Sequence, residues 1–194
     1  MRNQEFRFDT MPENTAQKAL LRRELLANRQ KISPEVRLAK DAAIARHVLA
    51  WCDAHPVSVL GAYWPIRSEP DLRDCYAALS ARGIQLALPV VVDKDAPLRF
   101  IEWKPGDAMT KDAFGVAIPV SGMDIRPEAL LIPCVGFNEQ RFRLGYGGGF
   151  YDRTLACVGR PTTVGIGYDC SRVRFEADAH DVALDFVITE TSLA

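Results

Sequence analysis

From residue 58 onward the chain repeats one pattern: a short uninterrupted apolar run, a segment of helical period, then another run. Ser58–Tyr63 (SVLGAY) reads as a buried strand, Leu72–Arg82 as a helix ended by Gly83, and Ile84–Val91 as a second strand. Leu130–Val135, Thr163–Tyr168 and Phe186–Thr189 are further strands, with Phe150–Val158 as a helix. A strand that is apolar at successive positions is buried on both faces, so it needs a layer on each side. The pattern therefore predicts an α/β fold with a largely parallel sheet covered on both faces. Leu98–Trp103 differs. It reads as one strand of a more exposed hairpin, with Lys94-Asp95-Ala96-Pro97 as its turn.

Two helices precede the first strand. One runs from about Thr15 to Gln30. Ser33-Pro34 supplies an N-cap and a proline at the first helical position of the next, which runs to about Asp53. Val36, Ala43, Ile44, Val48 and Trp51 form its inward stripe. Residues 1–14 are polar with scattered aromatics and read as a frayed arm, leaving 15–194 as a single domain. Lys and Arg total 24 against 25 Asp and Glu, a net charge of −1 that argues against a dedicated nucleic-acid binder. The five cysteines are odd in number and form no C-x-x-C pair, so neither a disulfide framework nor a zinc ribbon is expected. They read as small apolar residues in a reducing compartment. The N-terminus carries no apolar h-region, and no apolar run approaches the ~18–20 residues a bilayer needs. A soluble cytoplasmic protein, with nothing to suggest an obligate interface, is expected.

The chemistry concentrates in Arg143-Leu144-Gly145-Tyr146-Gly147-Gly148-Gly149-Phe150-Tyr151-Asp152-Arg153. Four glycines fall within five positions, after a buried strand and before a helix. Glycine allows positive φ and lets backbone N–H groups approach a ligand, which makes an anion cradle. Arg143 adds a candidate bidentate clamp on a phosphate. A carboxylate beside such a cradle, Asp152, is misplaced unless a cation lies between, and Mg²⁺ bound by one or two carboxylates plus phosphate oxygens fits. The bland alternative is a flexible glycine-rich loop. Neither the P-loop pattern nor G-x-G-x-x-G is present.

At about 100° per residue, Lys18, Arg22 and Arg29 fall within about 40° of one another on the first helix. Leu21 and Leu25 flank that stripe on one side and Leu26 on the other. Cations on an inward face need anions, from the protein or from a ligand, unless their long stems snorkel to water. Pro65-Ile66-Arg67-Ser68-Glu69-Pro70-Asp71 follows the first strand, where ligands bind in parallel α/β sheets, and Glu69 is placed to meet one. Asp71 reads as a helix N-cap. Asp181, before the last strand, reads equally as a second metal contact or a turn residue. His47 and His55 read as structural.

RLGYGGGFYDR, the K-x-x-x-R of Lys18 and Arg22, and the late His180-Asp181-x-x-x-Asp185-x-Val187-x-Thr189-Glu190 together resemble the 5-formyltetrahydrofolate cyclo-ligase family across about residues 16–190. Two departures precede the glycine segment: Asn138 stands where the family often has Asp, and Arg141 where it often has Gly. The resemblance implies a three-layer α/β/α sandwich like that of ribose-5-phosphate isomerases and CoA transferases. It implies ATP-dependent conversion of 5-formyltetrahydrofolate to 5,10-methenyltetrahydrofolate, with ADP and phosphate released and Mg²⁺ required. By the same resemblance, Lys18, Ala19, Leu20, Leu21 and Arg22 reach ATP, together with Arg143, Leu144, Gly145, Tyr146, Gly147, Gly148, Gly149, Phe150 and Tyr151. Arg22, Glu69 and Tyr146 through Phe150 border the folate. Arg143 and Tyr151 are the implied catalytic residues, and Asp152 and Asp181 the implied Mg²⁺ ligands. The partners expected are the two small-molecule substrates alone. A non-catalytic nucleotide or folate binder, and an RNA-interacting protein using the first helix, are the competing readings. The charge balance and the lack of an aromatic stacking platform weigh against the second.

Overall fold

The computed structural model describes residues 13–157 and 159–193. Of the expected N-terminal arm, residues 1–12 lie outside the described residues, and the first helix, α1 (Glu13–Gln30), begins before the expected Thr15. α2 (Pro34–Ala54) follows, with the Ser33 side chain accepting the Val36 N–H at its N-terminus. Then come β1 (Val59–Gly61), α3 (Arg73–Ala81), β2 (Gln85–Val90) and β3 (Arg99–Trp103). A hairpin of β4 (Met109–Lys111) and β5 (Ala117–Pro119) leads to β6 (Ala129–Pro133). A second ribbon, β7 (Gly136–Phe137) with β8 (Arg143–Leu144), precedes α4 (Phe150–Leu155), β9 (Thr162–Ile166) and β10 (Phe186–Ile188).

Six strands form one sheet in the order β10-β9-β6-β1-β2-β3. Every neighbouring pair is parallel except β2–β3, which is the hairpin expected at Lys94–Pro97. The period-2 alternation of β6 shows how the sheet divides its core. Ala129 and Leu131 join Ile44, Val48, Trp51, Leu72, Tyr76 and Leu79 under α2 and α3. Leu130 and Ile132 join Phe100, Phe137, Leu155 and Leu184 on the opposite face, below α4. Leu25 of α1 packs separately on Val135 and Leu144. The architecture is α/β with a mainly parallel central sheet and helices on its faces.

The inward stripe of α2 differs from expectation. Val36 is 49% exposed rather than inward, because the first turn of α2 precedes its contact with the sheet; Ile44, Val48 and Trp51 carry that contact instead. The stripe also includes buried Asp41, whose carboxylate accepts the Tyr168 hydroxyl at 2.6 Å. The Asn138 and Arg141 departures have a local explanation. Asn138 Oδ1 accepts the Gln140 and Phe142 N–H groups, as an aspartate would, and its amide donates to the Phe175 carbonyl. Arg141 sits at φ +63°, a left-handed position that favours glycine. It is held there by exchanging hydrogen bonds with Leu184: its Nε donates to the Leu184 carbonyl and its own carbonyl accepts the Leu184 N–H.

Candidate active site

The chain leaves the carboxyl ends of β1 and β6, adjacent in the sheet, toward the glycine segment and the β1–α3 connection. After β1, Ile66–Glu69 closes a tight turn: the Glu69 N–H donates to the Ile66 carbonyl, with Arg67 and Ser68 at φ +47° and +61°. Both central residues of this turn have the positive φ of a type I′ turn, yet neither is glycine or asparagine. Glu69 Oε2 accepts the Ile66 N–H at 2.9 Å, which ties the carboxylate to its own turn. Glu69 is 3% exposed, and burial raises its pKa above the usual glutamate value.

After β6 the chain forms the β7–β8 ribbon and then the glycine segment. Gly147 and Gly149 adopt φ +93° and +66°. At Gly148 a Cβ would lie 2.8 Å from the Phe150 ring, so the segment turns tightly on itself. Its carbonyls are held by arginines: Arg22 Nε donates to Gly145 O at 2.8 Å and Arg153 Nη2 to Gly148 O at 2.8 Å. Among the described residues none accepts a hydrogen bond from the backbone N–H groups of Gly147, Gly148 or Gly149. A loop whose carbonyls are turned toward cations and whose N–H groups stay free is suited to anions.

The three cations of α1 face inward as the helical spacing predicted: Lys18 is 3% exposed, Arg29 2%, and Arg22 half-buried. The protein itself supplies their partners. Lys18 Nζ lies 2.6 Å from Asp178 and 2.7 Å from Asp181. Burial works to lower the Lys18 pKa, but the two carboxylates outweigh it and leave the amine above its usual value. Arg29 donates to the carbonyls of Arg67 and Cys134 and, at 2.7 Å, to the Tyr146 hydroxyl. Tyr146 in turn donates to Glu69 Oε1 at 2.7 Å. One guanidinium thus joins α1, both strand ends and the glycine segment.

Arg143 and Asp152 are brought together at 2.8 Å, and Arg143 also donates to the Val182 carbonyl and lies 5.8 Å from the centre of the Tyr151 ring. Burial pushes the Tyr151 phenol well up. Asp181 accepts the Asp178 N–H as well as Lys18, so it does serve as a turn residue. Among the described residues no three His, Cys, Asp or Glu side chains converge as a metal cage. Asp152 and Asp181 each still have one carboxylate oxygen without a hydrogen bond among the described residues. Asp71 is not the N-cap of α3, which is Leu72, though its carboxylate accepts the Arg73 N–H and pairs with the Arg73 side chain. His47 and His55 have structural contacts: the Thr189 carbonyl and the Trp51 ring.

A cleft of about 1130 Å³ runs between α2 and α3 and opens along Ile66–Glu69. It lies beside the glycine segment, not over it, and Glu69 is the implied site residue on its wall.

A model of the 5-formyltetrahydrofolate cyclo-ligase family matches residues 14–190. The chain belongs to that family. A 5-formyltetrahydrofolate cyclo-ligase of Mycoplasma pneumoniae is 28% identical over 176 residues, covering 89% of this chain and 98% of the relative. One from Mycolicibacterium smegmatis is 28% identical over 186 residues, covering 89% and 93%. Two solved 5,10-methenyltetrahydrofolate synthetases share the fold of this cyclo-ligase family member. That of Mycoplasma pneumoniae has a TM-score of 0.76 at 26% identity, covering 89% of this chain and 98% of that one. The NMR structure from Aquifex aeolicus has a TM-score of 0.79 at 26% identity, covering 91% of each.

The spacing on α1 revealed the inward cations, but four connections of this cyclo-ligase family member's site had no local signature. These are the Asp178–Lys18 pair, the Arg29–Tyr146 bond, the Tyr146–Glu69 bond and the left-handed turn at Arg67-Ser68. Lys18 and Arg29 were marked by their place on the stripe, Glu69 by its position after the first strand and Tyr146 by its place in the glycine segment, whereas Asp178 was not marked at all.

Proposed function

We propose that this chain converts 5-formyltetrahydrofolate to 5,10-methenyltetrahydrofolate at the expense of ATP, and that the glycine segment and Glu69 hold the two substrates. The observation that carries this is the free N–H groups of Gly147–Gly149 joined, through Tyr146, to a buried carboxylate one hydrogen bond away. An anion cradle and a carboxylate that accepts ring N–H groups are what a triphosphate and a pteridine respectively require.

The formyl group is an amide, and its oxygen leaves poorly. Transfer of the γ-phosphoryl group to that oxygen releases ADP and gives a phosphorylated iminium carbon. The folate's N10 attacks this carbon and loses its proton, phosphate departs with the C–O electrons, and the imidazoline ring closes. Both reacting centres belong to the substrate, so the chain's work is positioning and charge stabilisation. Arg22 and the loop N–H groups face the phosphates. Arg143 exchanges part of its bonding to Asp152 for the transferred phosphoryl, with Tyr151 against its guanidinium. Lys18, whose ammonium already pairs with Asp178 and Asp181, reaches the phosphates by giving up part of that pairing.

Hard carboxylate oxygens left open at Asp152 and Asp181 fit Mg²⁺, which takes one or two carboxylates and fills its remaining positions with phosphate oxygens and water. When bound, the ion neutralises phosphate charge. The enzyme so described acts on small molecules, as a monomer in the cytoplasm. Three buried, unpaired thiols, Cys52, Cys75 and Cys134, support a reducing compartment. No helix among the described residues is long and apolar enough to cross a membrane. The test is the near-ultraviolet absorbance of the methenyl product with ATP, Mg²⁺ and 5-formyltetrahydrofolate. ADP release dependent on the folate is expected, and neither product with purified protein would overturn the assignment.

A further inference from the structure

We propose that Arg29 is a positioning residue: from α1 its guanidinium sets the Tyr146 hydroxyl, and through it the direction in which Glu69 presents its free lone pairs to a ligand. The proposal rests on Glu69 being the folate carboxylate of the proposed function.

Arg29 is 2% exposed, and among the described residues no carboxylate forms an ion pair with it within 4 Å. A guanidinium sealed from water without an ion pair is costly, and a packed apolar side chain would serve stability as well. What the charge contributes is direction. Arginine has five donors and no acceptor, so the Tyr146 oxygen must accept from Nη2 at 2.7 Å. The phenol's single proton is then free to point only outward, and Glu69 Oε1 receives it at 2.7 Å. Oε2 receives the Ile66 N–H at 2.9 Å. Of about four lone-pair sites on the carboxylate, two are filled and two remain on a fixed orientation. Two further Arg29 bonds fix the guanidinium itself, to Arg67 O at 3.1 Å and Cys134 O at 3.4 Å, at the ends of the two strands that frame the site.

The same chain of donors bears on the charge of Glu69. Burial disfavours its ionised form, and besides its two arginines the titratable groups it acts on are neutral: the phenols of Tyr63, Tyr76 and Tyr151, the Cys134 thiol, and Tyr146, which is bonded to it. The hydrogen bonds from the Ile66 N–H and the Tyr146 hydroxyl oppose burial, and after them the positive charges of Arg29 and Arg67. Removing Arg29 leaves the carboxylate easier to protonate, so its titration moves to higher pH.

Arg29→Met and Tyr146→Phe break the chain at different links, and Tyr146→Phe leaves both carbonyl bonds of Arg29 intact. Arg29→Lys keeps the charge without the fork and serves if Arg29→Met does not fold. Each is followed by kcat and KM for both substrates, the pH profile and the ¹³Cδ shift of labelled Glu69 against pH. The expectation is a loss of about 100-fold in kcat/KM for the folate, the scale of a misplaced binding group, with the loss in Arg29→Met falling on the folate rather than on KM for ATP. The acid limb and the Glu69 titration should both move up in Arg29→Met, and the Arg29→Met/Tyr146→Phe double variant should lose little more than either single one. A fall in melting temperature alone, an unmoved Glu69 titration, or additive losses would overturn the proposal. The titration decides it whether or not the protein turns over, whereas wild-type protein that makes no methenyl product would overturn only the proposed function.

Discussion

Asp152→Asn separates the charge of Asp152 from its shape. Arg143 Nη2 lies 2.8 Å from Asp152 Oδ1, and an asparagine side-chain oxygen can accept that hydrogen bond in the same place. Arg143 is buried, but the Asp152 side chain is 31% exposed, so water already screens the pair. Loss of the charge with the hydrogen bond kept should cost about 1 kcal/mol, the exposed-pair value rather than the 3–5 kcal/mol of a broken buried pair. For a chain of this size that is a drop of about 2–4 °C in melting temperature. Activity should respond quite differently. An amide oxygen is a poor substitute for a carboxylate on Mg²⁺, and turnover at fixed Mg²⁺ should fall by at least about 100-fold, the upper scale of ligand-sphere substitutions. Part of that loss should return as Mg²⁺ is raised. The assay is methenyl absorbance across a Mg²⁺ titration, paired with thermal melts. Unchanged turnover would remove Asp152 from the proposed Mg²⁺ ligands. A melting drop beyond about 10 °C would show that the carboxylate is mainly a structural clamp on Arg143.

Gly148→Val places a side chain against the Phe150 ring, which a Cβ alone would meet at 2.8 Å, and calorimetry should show ATP affinity lost while the far-ultraviolet spectrum is kept. Normal affinity would locate the phosphates elsewhere. Arg22→Ala removes the bond to Gly145 O and should weaken nucleotide binding by about 1.5–3 kcal/mol, the value of a charged hydrogen bond; a purely thermal effect would make Arg22 a loop anchor only. Asp41 tests the pH dependence of stability. Burial raises its pKa above the usual 3.8, outweighing the Tyr168 hydrogen bond and the charge of Arg37, so the folded state holds the proton more tightly than the unfolded chain. Its contribution is therefore full below the ordinary aspartate range and is lost as pH rises through the raised value. Asp41→Asn should flatten denaturant stability across that window, and an unchanged slope would exclude Asp41 as its source.

Much of the fold was legible because it is written locally. The apolar runs of β1, β2, β6, β9 and β10 are recognisable at single-strand length, and Gly83 ends its helix where a left-handed residue is needed, at φ +89°. The β4–β5 and β7–β8 ribbons were not, since strands of three and two residues are too short to show alternation. The turn at Arg67-Ser68 escaped for a related reason: its positive φ values fall on residues that do not advertise them.

The candidate site divides along the same line, and α1 shows why. Angular spacing placed Lys18 and Arg29 inward, and burial requires that such cations find partners. It does not say which. For Lys18 the answer lies 160 residues away, at Asp178, and for Arg29 it is two carbonyls and a phenol drawn from three other segments. A helix can announce that it carries a charge into the core, because that is a property of its own period. Where the charge goes is a property of the closed sheet, which brings the ends of β1 and β6 under one guanidinium. The cations read from sequence as ligand groups therefore have protein partners as well, and under the proposed function substrate binding at Lys18 and Arg143 would be an exchange of carboxylate partners for phosphate oxygens. Such an exchange costs less than desolvating bare cations, since the side chains are already ordered and partly dry. It also makes nucleotide affinity sensitive to the acids: Asp178→Asn, which removes one carboxylate from Lys18, should tighten ATP binding while lowering stability. Weaker ATP binding in that variant would mean that Asp178 orients Lys18 for the phosphates rather than competing with them.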